Sequence, residues 1–229
     1  MNNNQSKQIL LSVIGVAILV VAVVGVSFAF FTYSRTGSQN NIITTGQITF
    51  VFQDGDSINL TNHFPIATAD GLALTGNDNV CTFSVTGNTT TGSSIAFAVW
   101  AVEGDSATTL SLGEDYTTRY RDSEVFVNIQ PNTTLVANVS FTPATAAAEG
   151  KAISTLATSA SNVGANPTNG KLLGTGTITG TGSDITRTFT VRMWVDSSVV
   201  TVGETGATYT PAVYGTLYYT MKIAVTAQQ

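Results

Sequence analysis

The feature that most constrains the fold is an alternation of apolar and polar residues with a period of two. In one segment, Cys81, Phe83 and Val85 alternate with threonine and serine residues. The same pattern recurs in residues 47–52, 125–129, 135–141, 188–195 and 217–225. Successive side chains of a strand point to opposite faces of its sheet, so this period indicates strands with one buried face. Glycine, proline, asparagine and aspartate residues separate the segments, as is typical of turns. The sequence therefore predicts an all-β fold.

The spacing of these segments predicts how the strands are wound. Residues 93–102 form a more continuous apolar run, as expected of a central strand. Neither a βαβ rhythm nor a repeat of fixed period occurs in the sequence, and long connections separate some strands. Such connections favour a Greek key over a simple meander. We predict a jelly-roll or Greek-key β-sandwich of about eight to ten strands, preceded by an N-terminal hydrophobic signal or transmembrane helix.

Two local arrangements are predicted within the sandwich. Residues 124–142 are expected to form a hairpin, because two alternating runs flank a Pro-Asn turn. Residues 143–182 form a low-complexity insertion that is rich in Ala, Thr, Ser, Gly and Asn. Within it, we expect a short surface helix in residues 144–158 and a flexible edge strand or loop in residues 174–182.

The N-terminal segment predicts export. Residues 9–31 carry no charge and are long enough to span a bilayer as a helix. They are either a permanent membrane anchor or a signal peptide. The small residues Ser27 and Ala29 have the spacing that a signal peptidase accepts, and cleavage there would leave Phe30 at the new N-terminus. We expect the mature protein at the cell surface or outside the cell.

The same residues carry a family resemblance. Residues 25–32, GVSFAFFT, and residues 40–50, NNIITTGQITF, resemble the start of TasA/camelysin-type exported matrix proteins. The resemblance covers residues 25–52. It implies export through a dedicated signal peptidase, a jelly-roll domain and assembly into extracellular fibres of a biofilm matrix. In fibres of this family, the mature N-terminal segment of one subunit completes the sheet of the next.

Carried onto this chain, the resemblance implies a donor strand at the mature N-terminus. Its residues would be Phe30, Phe31, Thr32, Tyr33, Ser34, Arg35 and Thr36. Residues 1–29 are then a signal peptide or membrane anchor, residues 30–45 a linker with the donor strand, and residues 46–229 the sandwich domain. A freed apolar and aromatic segment has nothing local to pair with, and open sheet edges bind such strands. The alternative is that these residues finish the membrane helix or pack on their own domain.

Two other functions remain open. A membrane-anchored surface adhesin or carbohydrate-binding module would keep residues 9–31 as a permanent helix. Trp100 and Trp194 would be its candidates for stacking on sugars, although a sandwich with covered outer faces would bury them. A type IV pilin-like subunit would be cleaved after Lys7 or Gln8, but it lacks the usual small residue at that point and the acidic residue just inside the helix.

The residues do not indicate an enzyme or a cofactor. His63 is the single histidine of the chain, which excludes a two-histidine metal site and an HExxH motif. It lies in residues 59–65, which are expected to be a loop and hold no nucleophile elbow. Nothing in the sequence supports the protease activity that has been attributed to camelysin. We expect the protein to be structural, with copies of itself as partners.

Metal ions and glycans have only weak candidates. Asp54, Asp56 and Asp78 could supply oxygen ligands to calcium, but acidic residues beside glycine are also ordinary turn residues. We therefore predict no metal site. Glycosylation sequons occur at Asn59, Asn88, Asn132 and Asn138. We place Asn88 and Asn132 on turns and Asn138 on the polar face of a strand.

Charge and cysteine content exclude further classes. The net charge is -5, and the nine basic residues are scattered rather than clustered. A nucleic-acid partner is therefore not expected, because phosphate binding needs a basic patch. Cys81 is the sole cysteine, so no intramolecular disulfide is possible. Its phase with Phe83 and Val85 predicts burial, and an intermolecular disulfide is the alternative.

Overall fold

The computed structural model describes Val16 and residues 32–36, 41–45, 48–53, 57–61, 63–76, 78–104, 120–132, 136–198 and 217–228. Over these residues the chain forms two six-stranded sheets and very little helix. The predicted all-β fold is confirmed.

The elements are numbered in chain order. The strands are β1 (Thr32–Thr36), β2 (Asn41–Thr45), β3 (Ile48–Gln53), β4 (Ile58–Thr61), β5 (Val80–Asn88), β6 (Ser94–Glu103), β7 (Val125–Pro131), β8 (Val139–Pro143), β9 (Lys151–Ala152), β10 (Lys171–Thr179), β11 (Ile185–Val195) and β12 (Tyr218–Gln228). The helices are α1 (Thr68–Leu72), α2 (Thr145–Glu149) and a 3-10 turn (Ile153–Thr155).

The strands divide between two antiparallel sheets. Sheet I has the order β1-β12-β6-β10-β8, and β4 also pairs with β12. Sheet II has the order β2-β3-β5-β11-β7-β9. Strands that are distant in sequence therefore lie side by side, such as β6 with β12 and β5 with β11.

The core lies between the two sheets and is rich in aromatic residues. Phe83 and Phe189 stack with ring centroids 5.2 Å apart, and Phe141 lies 4.7 Å from Phe189. Cys81 belongs to the same core and is 3% exposed, which confirms its predicted burial. Each such phenylalanine removed from water stabilises the fold by about 1.5–3 kcal/mol. The alternation in the sequence thus corresponds to one buried face on β4, β5 and most of β11.

Each sheet is also covered over part of its outer face. On sheet I, Trp100 is fully buried with Val163 of the segment before β10, and its indole N–H donates to Thr226 Oγ1 across 2.9 Å. On sheet II, Trp194 packs against α1, where it contacts Gly71. Neither tryptophan is exposed, so the proposed sugar-stacking role of Trp100 and Trp194 is wrong and the covered-face alternative is confirmed.

The predicted hairpin over residues 124–142 is wrong. β7 pairs with β11 and β9 in sheet II, whereas β8 pairs with β10 in sheet I. Residues 137–138 form a turn, with Asn138 in the left-handed region at φ 68, before β8 begins. Alternation identifies a buried face but carries no information about the partner strand, so two consecutive alternating runs were assigned to one sheet.

The expectation of an edge strand or loop in residues 174–182 is wrong for residues 174–179, which belong to β10, whereas residues 180–182 lie in the loop that follows this strand. β10 lies in the interior of sheet I, between β6 and β8. A Cβ atom on Gly176 would overlap the ring of Phe97, and one on Gly174 would lie 2.5 Å from the ring of Phe141. The strand is poor in large side chains because these two rings fill the space above it.

The predicted helix in residues 144–158 is shorter than expected. α2 ends at Glu149, Gly150 follows at φ 66, and the chain continues into β9 and the 3-10 turn. The positive φ stops the helix, because glycine adopts this conformation without a steric penalty. Residues 143–182 therefore contribute strands to both sheets.

Candidate functional site

One edge of sheet I is shared by two separate strands. β12 pairs along one side with β6. Along its other side, residues 218–221 pair with β4 and residues 224–228 pair with β1. Lys222 and Ile223 lie between the two ladders. Both short strands run antiparallel to β12, so they lie end to end. We call this side of β12 the split edge.

The strand that carries the split edge is deeply buried. Met221, Ile223 and Val225 face the main core and are at most 2% exposed. On the other face, Ala224 packs in the cluster around Trp100, and Thr226 accepts the hydrogen bond from the same tryptophan. β12 is therefore held from both faces, and its outer side is a rigid template.

β4 is a firmly anchored half of the split edge. Ile58 and Leu60 are 1% and 0% exposed and belong to the main core, while Asn59 and Thr61 point outward and are exposed. The predicted loop in residues 59–65 is therefore wrong over its first three residues. The signal was present, because apolar and polar residues alternate in Ile58–Thr61, but four residues are too few to distinguish from a loop.

β1 forms the other half of the split edge. In its ladder, Tyr33 is opposite Ala227 and Arg35 is opposite Val225. Residues directly opposite each other share a face of a sheet, so Tyr33 and Arg35 occupy positions on the core face. β1 has one partner strand within the described residues, which makes it an outermost strand of sheet I.

The structure places the predicted donor residues only in part. Thr32 to Thr36 form β1, and this strand pairs with β12 of its own chain. Ser27, Ala29, Phe30 and Phe31 lie outside the described residues, as does nearly all of the apolar segment 9–31. Among the helices that the structure describes, none combines the length and the apolar character needed to cross a membrane.

A second set of polar groups lies at the end of β11. Asp196 is fully buried and accepts hydrogen bonds from Trp194 Nε1 at 3.0 Å, Thr68 Oγ1 at 2.6 Å and both the backbone N–H and hydroxyl of Ser198. Burial raises the pKa of Asp196, but hydrogen bonds from Ser198, Thr68 and Trp194 outweigh it and hold the pKa below its ordinary value. The carboxylate joins α1 to β11. In the sequence, Asp196 followed by two serines is a signal for a turn but not for a buried carboxylate.

The candidate catalytic and metal residues are not brought together. His63 is half-buried, and its carbonyl accepts a hydrogen bond from Tyr120 Oη at 2.7 Å. Asp78 is exposed, while Asp54 and Asp56 lie outside the described residues. Within the part of the chain that the structure describes, no group of three His, Cys, Asp or Glu side chains has the geometry to hold a metal ion.

The four sequons differ in accessibility. Asn59 is exposed on β4, and Asn132 is exposed after β7, where its side-chain oxygen accepts a bond from Thr190. Asn88 is the last residue of β5 rather than a turn residue, and its amide donates to Asp184 at 2.7 Å. Asn138 is exposed but lies in the turn before β8, so its predicted place on a strand face is wrong.

Comparisons with protein-family models, curated proteins and solved structures give no match for this chain. The split edge is the strongest candidate site, because it combines a rigid template, an anchored strand and a separate terminal strand.

Proposed function

We propose that the protein is a structural subunit of an extracellular fibre or biofilm matrix, built on a jelly-roll sandwich. Copies polymerise when the N-terminal segment of one subunit, containing β1, completes sheet I of the next. The observation that carries the proposal is the split edge, where β1 forms a separate five-residue ladder at the outside of the sheet.

The residues on the core face support an exchangeable β1. β4 places Ile58 and Leu60 on that face, and burial of each contributes about 1.5–3 kcal/mol. β1 places Tyr33 and Arg35 there. A guanidinium group loses hydration when it approaches an apolar core, so it opposes tight packing of this strand. β1 is therefore expected to detach while β4 stays in place.

The position of β1 in the topology supports the same step. Departure of β1 leaves β12 still paired with β6 and β4. It exposes the unpaired backbone groups of residues 224–228, and such an edge binds an added strand. Because the donor segment and the acceptor edge are different surfaces, the contact between copies is head-to-tail. Repetition of such a contact produces an open filament.

The N-terminal sequence supports export and release of the donor. Cleavage after Ala29 would start the mature chain at Phe30, two residues before β1. The freed segment would then consist of β1 with two phenylalanines in front of it. The resemblance of residues 25–52 to TasA/camelysin-type proteins also implies export, cleavage and use of the N-terminal segment as a donor strand.

The test combines N-terminal sequencing with electron microscopy. Protein recovered from the cell surface should begin at Phe30, and the purified mature protein should form filaments. Ser34→Pro should abolish the filaments, because proline lacks the N–H group that a ladder uses and distorts a short strand. The matched control, Ser34→Thr, keeps the N–H and favours a strand, so it should form filaments normally.

The alternatives predict different results. A chain that keeps residues 1–29 supports a membrane-anchored surface module. A chain that begins immediately after Lys7 or Gln8 supports a pilin-like subunit. Mature protein that remains monomeric, or undiminished filaments from Ser34→Pro, would overturn the proposed mechanism.

A further inference from the structure

We infer that β4 is a fixed stop that limits the register of any strand bound at residues 224–228, and that the strand that binds there is β1 of a second copy. The role of the second copy rests on the proposed function. The stop itself follows from the split edge and is testable within one chain.

The geometry leaves little room next to β4. Thr36 lies opposite Ala224, and Ile58 lies opposite Met221. Two residues of β12 therefore separate the facing ends of β1 and β4. Since a strand rises about 3.3 Å per residue, two residues leave a short gap between the strands. This gap leaves no room for β1 to add further residue pairs toward β4.

Movement toward β4 is disfavoured in every register. A shift of one residue exchanges the two faces and moves Tyr33, the one aromatic residue of β1, to the outer side. A shift of two restores the faces but places Thr36 opposite Lys222. The residue after Thr36 would then lie opposite Met221, a position that Ile58 already occupies. The chain would therefore have to leave the sheet immediately after Thr36 to avoid β4.

β4 gives the acceptor edge a defined boundary on one side. The residues of β12 that pair with β1 are 224–228, and the two residues before them separate this ladder from the position opposite Ile58. We call residues 224–228 of β12 the slot.

The phase of the sequence fits the slot. Tyr33 and Arg35 fall opposite Ala227 and Val225, which face the main core. Ser34 falls opposite Thr226, on the face that contains Trp100. The native register therefore keeps Tyr33, the one aromatic residue of β1, at a core-face position, although the charge of Arg35 weakens the packing there.

Cysteine pairs in the full-length chain report the register. Thr32→Cys with Gln228→Cys tests the native register, since directly opposed residues have Cα atoms about 4.5–5.5 Å apart. Thr36→Cys with Lys222→Cys tests the shifted register. In the native register this second pair is diagonal, at about 7–8 Å, too far for a disulfide. Cys81→Ala removes the native thiol from both variants.

Weakening β4 tests the stop. With β4 intact, the native pair should oxidise efficiently and the shifted pair should remain reduced. Ile58→Ala, which loosens β4 from the core, should allow the shifted pair to oxidise to a yield similar to that of the native pair. Asn59→Pro weakens the same ladder without removing a core side chain, and serves if Ile58→Ala does not fold. Asn59→Ala alters an exposed residue of β4 and is the control that should change nothing.

Two results would overturn the stop. One is a shifted pair that oxidises as well as the native pair while β4 is intact. The other is a shifted pair that stays reduced in folded Ile58→Ala and folded Asn59→Pro.

Mixing single-cysteine chains tests the second copy separately. Mature Thr32→Cys and Gln228→Cys chains, mixed under polymerising conditions, should form disulfide-linked dimers on a non-reducing gel. Dimers that appear instead for the mixture of Thr36→Cys and Lys222→Cys would contradict the register while supporting exchange. Disulfides that form only within one chain would contradict exchange while leaving the stop intact.

Discussion

Trp194 donates its indole N–H to a carboxylate oxygen of Asp196 across 3.0 Å, and both side chains are buried at the end of β11. Asp196 also accepts hydrogen bonds from Thr68 and Ser198. Ile66, which lies just before α1, donates its backbone N–H to the carbonyl of Val195, the residue before Asp196, across 3.0 Å. The carboxylate therefore fixes α1 over the tryptophan and covers the part of the outer face of sheet II around Trp194.

Replacement of this carboxylate should destabilise the fold. Asp196→Asn keeps the shape but removes the charge and directs an amide N–H₂ toward groups that are themselves donors. We expect the free energy of unfolding to fall by about 1–3 kcal/mol. Urea denaturation followed by tryptophan fluorescence measures it. Asp78→Asn, at an exposed position, is the matched control and should leave the midpoint unchanged. Equal midpoints for both variants would contradict the role given to Asp196.

The same carboxylate predicts a pH dependence of stability. Its pKa in the folded protein lies below its ordinary value of 3.8, so the folded state favours the ionised form. This contribution is fully present above the unfolded pKa and is lost as the pH falls through the folded pKa. The difference in stability between wild type and Asp196→Asn should therefore be constant near neutral pH and shrink below about pH 4. A difference in stability that grows on acidification would show that the pKa of Asp196 is raised rather than lowered in the folded protein.

Gly71 should not tolerate a side chain, although it lies in a helix. Alanine normally stabilises a helix relative to glycine, by about 0.5–1 kcal/mol. A Cβ at Gly71, however, would overlap the indole ring of Trp194. We expect Gly71→Ala to lower the stability by about 1–3 kcal/mol through overpacking and to alter the fluorescence of the protein. Gly76→Ala is the control, because a Cβ there meets nothing within 4 Å. A stabilised Gly71→Ala protein would mean that α1 does not press on the tryptophan.

The strands and their buried faces could be predicted from the sequence, but the partners of the strands could not. The alternation around Cys81 identified β5 correctly, because a period of two reports which side of a strand is buried. The same period does not report which strand lies alongside. β7 and β8, adjacent along the chain, were therefore assigned to one hairpin, although they belong to different sheets.

The candidate site could likewise be predicted only in part from the sequence. The resemblance of the N-terminal segment predicts a donor strand over residues 30–36, and residues 32–36 form a strand that pairs with β12 of its own chain. Donation of this strand to a second copy stays a prediction. The split edge could not be predicted, because it depends on the last strand of the chain pairing with two early ones. β10 was missed for a physical reason as well. Its small residues fit under Phe97 and Phe141, and this contact is visible only in three dimensions.

The charge at position 35 should control how readily β1 leaves its own chain. Arg35 lies opposite Val225 on the core face, and Arg35→Val would place an apolar residue there. Even partial burial of this valine, worth about 1.4 kcal/mol, would reduce the detached population of β1 about tenfold. Filaments of the mature variant should therefore form more slowly, as followed by light scattering, and amides of residues 32–36 should exchange hydrogen more slowly in the monomer. Ser34→Val adds the same side chain on the outer face and controls for strand propensity. Filament formation that is as fast in Arg35→Val as in wild type would mean that detachment of β1 does not limit assembly, and the weak core face of this strand would then have no part in the mechanism.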